Sequence, residues 1–297
     1  MLLTRLRAAG YGCHVGQKFL GALGYADDGL LLSQTLYGLD QMINVCEQFS
    51  KDYDIMFNPS KCKLLAFGND EDVSVYMNDS KVTQVSSEPH LGFQIGASHK
   101  VDSANIDIAV QNIYGRINLL LRQFGKACCD VKYYLFKSYC MSLYGCPLFC
   151  FASKHISKLY VCWRKCIRRL FDLPTRTHCQ LLHHICQDSP IDVQLANRFI
   201  KFFTCAYNSQ NEGVALCAKL ALYGSRSNVS DSINFICTKF SLDKYHCFDN
   251  VAAPCIDYAS DDAVLQTAAT IRDFIGYRES NNSPDLTDII NYLCTSL

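Results

Sequence analysis

The chain has 297 residues, of which 49% are hydrophobic and 19% are charged. This length is enough for a sizeable core and two domains, and the composition excludes an intrinsically disordered protein. The net charge is zero, but residues 101–210 carry 14 Lys and Arg against 6 Asp and Glu. Residues 1–100 carry 8 against 11, and residues 211–297 carry 6 against 11. The basic middle segment is where a polyanion would bind.

The eighteen cysteines follow no Cys-x-x-Cys spacing, and a chain of this length does not need a disulfide scaffold. We interpret most of them as reduced thiols of an intracellular protein of the nucleus or cytoplasm. The N-terminal segment 1–7 lacks the apolar core of a secretory signal, so secretion is not expected. The longest uncharged stretch near mid-chain, 138–153, contains Gly145 and Pro147 and indicates a core helix and turn rather than a membrane span.

The first elements in chain order are a helix over 2–9, ended by Gly10, and a hairpin over 17–33. The hairpin centre, Gly24-Tyr25-Ala26-Asp27-Asp28-Gly29, places two carboxylates between apolar strands. Two like charges on a buried strand pair require a positive partner, and a hard cation such as Mg²⁺ prefers oxygen ligands. The alternative is a solvated turn, because Asp and Gly are both favoured there.

A helix over 35–53 and further short strands are predicted next. Lys61 and Lys63 are expected on one strand, two residues apart, so that they project the same way. Solvated lysines on an edge strand are the alternative. The expected strands and turns are a strand over 54–57, a turn at 58–60, a strand over 61–67, a hairpin of 73–77 with 81–85, and a strand-like element over 90–96.

From about residue 101 the apolar spacing predicts helices. The expected spans are 101–124, 130–144, 154–172, 190–207 and 286–294, while residues 224–260 match no clear pattern. The helix over 154–172 is basic on its outer side. Its predicted phosphate contacts, with one in the following loop, are Lys158, Arg164, Lys165, Arg168, Arg169 and Arg176. A basic face that is merely solvated is the alternative.

Three motifs occur in the order found in reverse transcriptases: Tyr25-Ala26-Asp27-Asp28, the segment 57–64, and His90-Leu91-Gly92. Over most of its length the chain resembles the enzyme of non-long-terminal-repeat retrotransposons of the LINE type, jockey-like or a relative. The resemblance implies an α+β fold. A partial palm, with an antiparallel sheet and a packed helix, would span 1–100. A helical thumb would span 101–178 and a C-terminal helical region 179–297.

The resemblance implies an RNA-directed DNA polymerase that uses two Mg²⁺ ions, with Mn²⁺ as an alternative. Asp27 and Asp28 would be the catalytic metal ligands. Lys61 would act on the leaving pyrophosphate or the incoming nucleotide. The residues that would contact primer or nucleotide are Tyr25, His90, Leu91 and Gly92.

In the resembled family, the fingers and a first palm strand with another Asp precede this point. We therefore expect an N-terminally truncated enzyme that is inactive by itself. Its partners would be an RNA template, a DNA primer and the missing N-terminal part. One alternative is a retrotransposon-derived protein that binds RNA or DNA without catalysis, and another is an unstable pseudogene product.

A zinc site is a further hypothesis from the residue types alone. The thiols and imidazoles that could form it are Cys162, Cys166, His178, Cys179, His183, His184 and Cys186. Ordinary packing of small thiols explains their positions equally well.

Overall fold

The computed structural model describes residues 1–68, 72–96, 100–224, 227–245, 248, 256, 261–281, 290 and 293–295. Helix makes up 58% and strand 11%, so the fold class is α+β in the coarse sense. The chain forms two compact units. The N-terminal unit is Met1–Val101 with Asn211–Leu216, and the C-terminal unit is Asp102–Gln210 with Cys217–Leu297.

Two helices organise the N-terminal unit. Helix α1, Leu2–Ala9, ends at Gly10, whose φ of 75° is the left-handed conformation that glycine adopts without strain. Helix α2, Leu36–Tyr53, begins at Thr35, whose hydroxyl oxygen accepts a hydrogen bond of 3.1 Å from the amide of Gly38. Both helices confirm the sequence predictions.

The strands of this unit are short and pair only two by two in the described residues. They are β1 His14–Val15, β2 Lys18–Phe19, β3 Ala22–Tyr25, β4 Asp28–Leu31, β5 Lys63–Leu64, β6 Tyr76–Met77, β7 Ser80–Lys81, β8 Thr83–Gln84, β9 Ser87–His90 and β10 Phe93–Gly96. Four ladders are antiparallel hairpins, and β5 pairs with β8 in parallel. The expected single antiparallel sheet is therefore replaced by separate ladders.

Most of the predicted strands differ from the structure. The element expected over 90–96 is divided by a turn at Leu91 and Gly92, and the hairpin of 73–77 with 81–85 is shortened to β6 and β7. The strand expected over 54–57 is absent, because Asp54 adopts φ 52° at the end of α2. The strand expected over 61–67 is reduced to β5. Asn58 holds a turn there: its side-chain oxygen accepts from the amide of Ser60 at 3.0 Å, and its carbonyl accepts from the amide of Lys61 at 3.1 Å. Lys61 is consequently a turn residue.

Helix α2 packs against two small cores, each on a different side of the helix. Met42 and Cys46 pack with Leu6 of α1, and the same cluster takes in parts of the first two hairpins. Ile43 packs with Val75, Met77 and Val82 around β6 and β7. Each core contains only three or four buried side chains. Helix α2 contributes residues to both cores and is therefore the element that joins them.

Helices build the C-terminal unit. They are α3 Lys100–Phe124, α4 Cys129–Leu135, α5 Ile156–Leu170, α6 Cys179–Ile185, α7 Ile191–Tyr207, α8 Glu212–Tyr223, α9 Asn228–Lys239 and α10 Asp262–Asn281. The first two residues of α3 belong to the N-terminal unit, and so do the residues of α8 up to Leu216. The expected helices over 101–124, 154–172 and 190–207 are confirmed within a few residues. Sequence patterns did not identify α6, α8, α9 or α10 as individual helices.

The helix expected over 130–144 ends early. Helix α4 continues into a π-helical turn, Phe136–Cys140, in which the amide of Met141 donates to the carbonyl of Phe136 at 3.1 Å. Arg116 of α3 closes this turn by donating to the carbonyl of Tyr139 at 3.1 Å and to the hydroxyl of Ser142 at 2.9 Å. A tertiary contact therefore ends a segment that the local pattern extended.

The start of the expected last helix, at Ser283-Pro284-Asp285, lies outside the described residues. Of the rest of that helix, Ile290 and residues 293–295 are described, and they are helical. No helix in the described part of the chain is long and apolar enough to cross a bilayer.

Candidate metal-binding hairpin and basic surface

The two adjacent aspartates lie at the tip of the β3–β4 hairpin. Tyr25 pairs with Asp28, so Ala26 and Asp27 are the two turn residues and Asp28 begins β4. Ala26 has φ 54°, whereas Asp27 does not have a positive φ, and this is the sign pattern of a type II′ turn. The predicted strand–turn–strand arrangement is confirmed, with one carboxylate in the turn and one on the strand.

The tip of this hairpin is exposed. Tyr25 keeps 67% and Leu23 keeps 52% of their surface, and Asp27 and Asp28 are also exposed. The expectation that the carboxylates lie on a buried strand pair is therefore wrong. Burial does not force a counter-ion onto them, and their proximity in an open turn is the property that remains relevant to metal binding.

The base of the hairpin is held by α1 and by the preceding hairpin. The amide of Leu32 donates to the carbonyl of Gly21 at 2.7 Å, and the amide of Cys13 donates to the carbonyl of Leu32 at 2.8 Å. Ala22 and Leu31 pack against the cluster around Met42. A fixed base and an exposed tip present the two carboxylates to solvent.

The motif His90-Leu91-Gly92 also forms a tight turn. His90 pairs with Phe93, and Leu91 and Gly92 have φ values of 50° and 78°. Positive φ at both turn residues is the type I′ pattern that matches the twist of antiparallel strands. His90 is half-buried, and Leu91 is 39% exposed.

Lys61 is exposed in the turn that precedes β5. Within the described residues, no hydrogen bond or ion pair joins Lys61 or the 90–92 turn to Asp27 or Asp28. No group of three or more His, Cys, Asp or Glu side chains in the described part of the chain is arranged to hold a metal ion. The hairpin thus offers two carboxylates of the type Mg²⁺ prefers, but not a complete ligand set.

The zinc hypothesis loses its geometric basis for the same reason. Cys162 and Cys166, one turn apart on α5, are both buried. The neighbouring thiol of Cys162, together with burial, raises the pKa of Cys166. The two thiols are packed as part of the helical core.

Helix α5 has one buried side and one basic side. Ile156, Leu159, Trp163, Ile167 and Leu170 are buried, as predicted, while Tyr160 is half-buried. The remaining arc carries five basic residues and no acidic residue. This separation confirms the amphipathic character of the helix.

Three of the six predicted phosphate-contacting residues have partners within the unit. Lys158 forms an ion pair of 2.6 Å with Asp107. Arg168 donates to the carbonyl of Thr177 at 2.6 Å. The guanidinium of Arg169 donates to the side-chain oxygen of Asn118 at 2.9 Å. These contacts position α5, so only part of each charge is available to a ligand.

Arg164, Lys165 and Arg176 have no hydrogen-bond or ion-pair partner among the described residues. Lys165 and Arg176 are exposed, and Arg164 is half-buried. They are the strongest candidates for contacts with an anionic ligand.

No protein-family model and no curated protein matches this chain. The resemblance to reverse transcriptases therefore depends on three short motifs and their order. The functional argument that follows starts from the hairpin and from the basic surface.

Proposed function

We propose that the chain is the palm and thumb portion of a reverse transcriptase of the non-long-terminal-repeat retrotransposon type. It would act on an RNA template and a DNA primer. The observation that carries the proposal is the pair of aspartates at the exposed tip of a tight hairpin that is anchored at its base. The 90–92 turn and the motif order support it.

In this proposal Asp27 is a direct ligand of Mg²⁺ and Asp28 is a second or weaker one. The metal ions would activate the primer hydroxyl and stabilise the triphosphate. Tyr25, 67% exposed next to the turn, would pack near the primer end. The turn of His90, Leu91 and Gly92 would contact the primer, and Lys61 the nucleotide.

We propose that this centre is incomplete in the chain by itself. Two-metal nucleotidyl transfer requires a further carboxylate, and none lies beside Asp27 and Asp28 in the described residues. Purified protein is expected not to extend a primer on an RNA template. Extension that Asp27→Ala abolishes would disprove the incompleteness while supporting the family assignment.

Metal binding at the hairpin is tested by the paramagnetic broadening that Mn²⁺ causes in amide NMR signals. Broadening is expected first at Tyr25 and Gly29 and should be lost in Asp27→Asn with Asp28→Asn. Asp79→Asn is the matched control, because Asp79 occupies the turn of another hairpin. Equal broadening in all variants would contradict the proposal.

The second candidate function is nucleic-acid binding without catalysis, favoured by the acid-free outer face of α5. Replacing Arg164, Lys165 and Arg176 with Ala should weaken binding to a primer–template and flatten its salt dependence. Lys201→Ala with Lys219→Ala is a control on exposed residues of other helices. Unchanged affinity in the triple variant would exclude this surface.

A further inference from the structure

Helix α3 carries an exposed glycine that the fold of the chain does not explain. Gly115 lies mid-helix, and a Cβ added there would meet no atom within 4 Å. Glycine destabilises a helix interior relative to alanine, so a position with free space favours a larger residue. A close approach of a ligand to the helix backbone would account for Gly115.

The exposed side chains near Gly115 on this outer face are two amides, Gln111 and Asn112, and two aliphatic residues, Ile108 and Leu119, which are 44% and 48% exposed. Gln111 and Asn112 are exposed and have no hydrogen-bond partner in the described part of the chain. Each amide offers both a donor and an acceptor. We call the exposed residues Gln111, Asn112 and Gly115 the α3 face.

An exposed tyrosine, Tyr139, flanks the α3 face on one side, and a second exposed tyrosine, Tyr134, precedes it on the same helical segment. Arg116 contacts the π-helical turn, and its guanidinium lies 5.5 Å from the centre of the Tyr139 ring. Tyr139 is 51% exposed, and Tyr134, one turn earlier, is 71% exposed. Because π-helical bonds join residues five apart, the π-helical turn brings Tyr139 nearer to the side of Tyr134 than an α-helix would.

Helix α5 flanks the α3 face on the other side. Asn118, which accepts from Arg169, follows Arg116 by two residues, and two residues of an α-helix span more than half a turn. The π-helical turn and α5 therefore contact opposite sides of α3. The α3 face lies between the exposed ring of Tyr139 and a row of cations on α5.

The charge of these elements suits one class of ligand. From the start of α3 to the end of α5, residues 100–170 contain twelve Lys and Arg and three acids, Asp102, Asp107 and Asp130. Asp130 is paired with Arg272 at 2.5 Å. A polyanion with flat apolar groups matches cations, exposed aromatic rings and an open glycine together, whereas an acidic peptide would leave the rings without stacking partners.

We propose that the α3 face with its two flanks binds a single strand of RNA. Phosphates would contact Lys165 and the free side of Arg169, the backbone would pass over Gly115, and bases would stack on Tyr134 and Tyr139. Gln111 and Asn112 would hydrogen-bond 2′-hydroxyl groups, which distinguish RNA from DNA. The inference rests on the proposed function for the choice of RNA, but does not involve the hairpin.

The first test is the affinity of the whole chain for a fluorescent uridine-rich RNA of about 12 nucleotides, a length within the range of single-strand sites. Gly115→Gln should bind at least about tenfold more weakly, because the new side chain fills the path of the strand. The melting temperature should stay equal or rise, since Gln is the better helix former. Gly276→Gln, at an open glycine of α10, should bind like the wild type.

Stacking is tested at the π-helical turn. Tyr139→Ala should weaken RNA binding by roughly tenfold, as expected for one lost base–aromatic stack, and Tyr139→Phe should retain it. Tyr223→Ala, at a tyrosine of α8 that is 63% exposed, is the control. Wild-type affinity in both Gly115→Gln and Tyr139→Ala would overturn the inference, and so would a wild-type protein that does not bind the RNA.

The source of the strand and the proposed function are separated by two further arms. DNA of the same sequence should bind more weakly, and equal affinity would overturn the assignment to RNA. Asp27→Asn with Asp28→Asn should leave RNA affinity unchanged. If Mn²⁺ broadening is absent while RNA binding behaves as expected, only the proposal for the hairpin is wrong. If the Gly115→Gln and Tyr139→Ala variants bind RNA as tightly as the wild type, the proposal for the α3 face is wrong.

Discussion

The two units differ in how much of each is buried core. The best-buried side chains of the N-terminal unit are Leu6, Met42 and Val75, each at most 1% exposed, and they belong to two small clusters. The C-terminal unit buries large rings to the same degree. They are Phe136, Phe151, Phe171, Phe199, Phe203 and Phe248. Since the stabilising free energy scales with the apolar area that is buried, the C-terminal unit should be the more stable of the two.

The candidate sites follow this difference. The aspartates project from a ladder of two short strands, where local opening costs little free energy. The α3 face lies on a helix whose opposite side is buried in the core. A ligand at the hairpin would therefore add order to the N-terminal unit, whereas the α3 face presents a preformed surface.

The largest expected effect is a cavity in the C-terminal core. Phe199 is 1% exposed and packs edge-on against Phe151, with ring centres 5.4 Å apart. Phe199→Ala should lower the free energy of unfolding by about 3–5 kcal/mol. Urea unfolding followed by the fluorescence of Trp163, the one tryptophan, measures it. Phe202→Ala on the same helix, 42% exposed, should cost much less, and equal losses would contradict the assigned core.

Acid should destabilise the C-terminal unit through a buried imidazole. Burial of the ring is the larger cause, and the neighbouring His184 the smaller one, that lower the pKa of His183 to about 4. The unfolded chain takes up this proton near pH 6.5, so stability is complete above that pH and falls toward pH 4, by roughly 3 kcal/mol in total. His183→Gln should flatten this slope in Trp163-detected unfolding. The His183→Gln substitution should not change hydrogen exchange in the N-terminal unit.

A smaller effect is expected at the hairpin turn. Ala26 has φ 54°, which costs an L-residue energy that glycine avoids. Ala26→Gly should stabilise β3–β4 by about 1 kcal/mol. Slower exchange of the Leu32 amide, which donates to Gly21, reports it. Leu91→Gly relieves the same kind of strain in the β9–β10 turn, and an equal effect of that variant on Leu32 would show that the two hairpins are not independent.

The smallest effect is expected at the ion pair between α3 and α5. The Asp107 and Lys158 side chains are 44% and 45% exposed, so solvent screens their attraction. Asp107→Asn should lower the free energy of unfolding by less than about 1 kcal/mol, less so in high salt. Asp188→Asn should cost more, because that carboxylate is 16% exposed and accepts from both Lys137 and Tyr133.

Helices were predicted more successfully than strands, for a physical reason. The apolar spacing along α2, α5 and α7 lies within each segment, so the pattern predicts the element without knowledge of its neighbours. The strand over 54–57 failed because strand pairing depends on a distant segment, and Asp54 instead adopts φ 52° at the end of α2. The tip at Asp27 was predictable because a two-residue turn depends on local residues, whereas the turn at Leu91 and Gly92 divides a segment that was predicted as one strand-like element.

The sequence by itself determined the order of the motifs, the amphipathic faces of the helices and the basic middle segment, since these depend on neighbouring residues in the chain. Only the tertiary structure decided that Asp27 and Asp28 are exposed and that Asp107 and Asn118 engage Lys158 and Arg169. It also decided that Arg116 ends the π-helical turn. Such contacts join residues that are many positions apart, and their geometry follows from how the helices pack rather than from any local pattern.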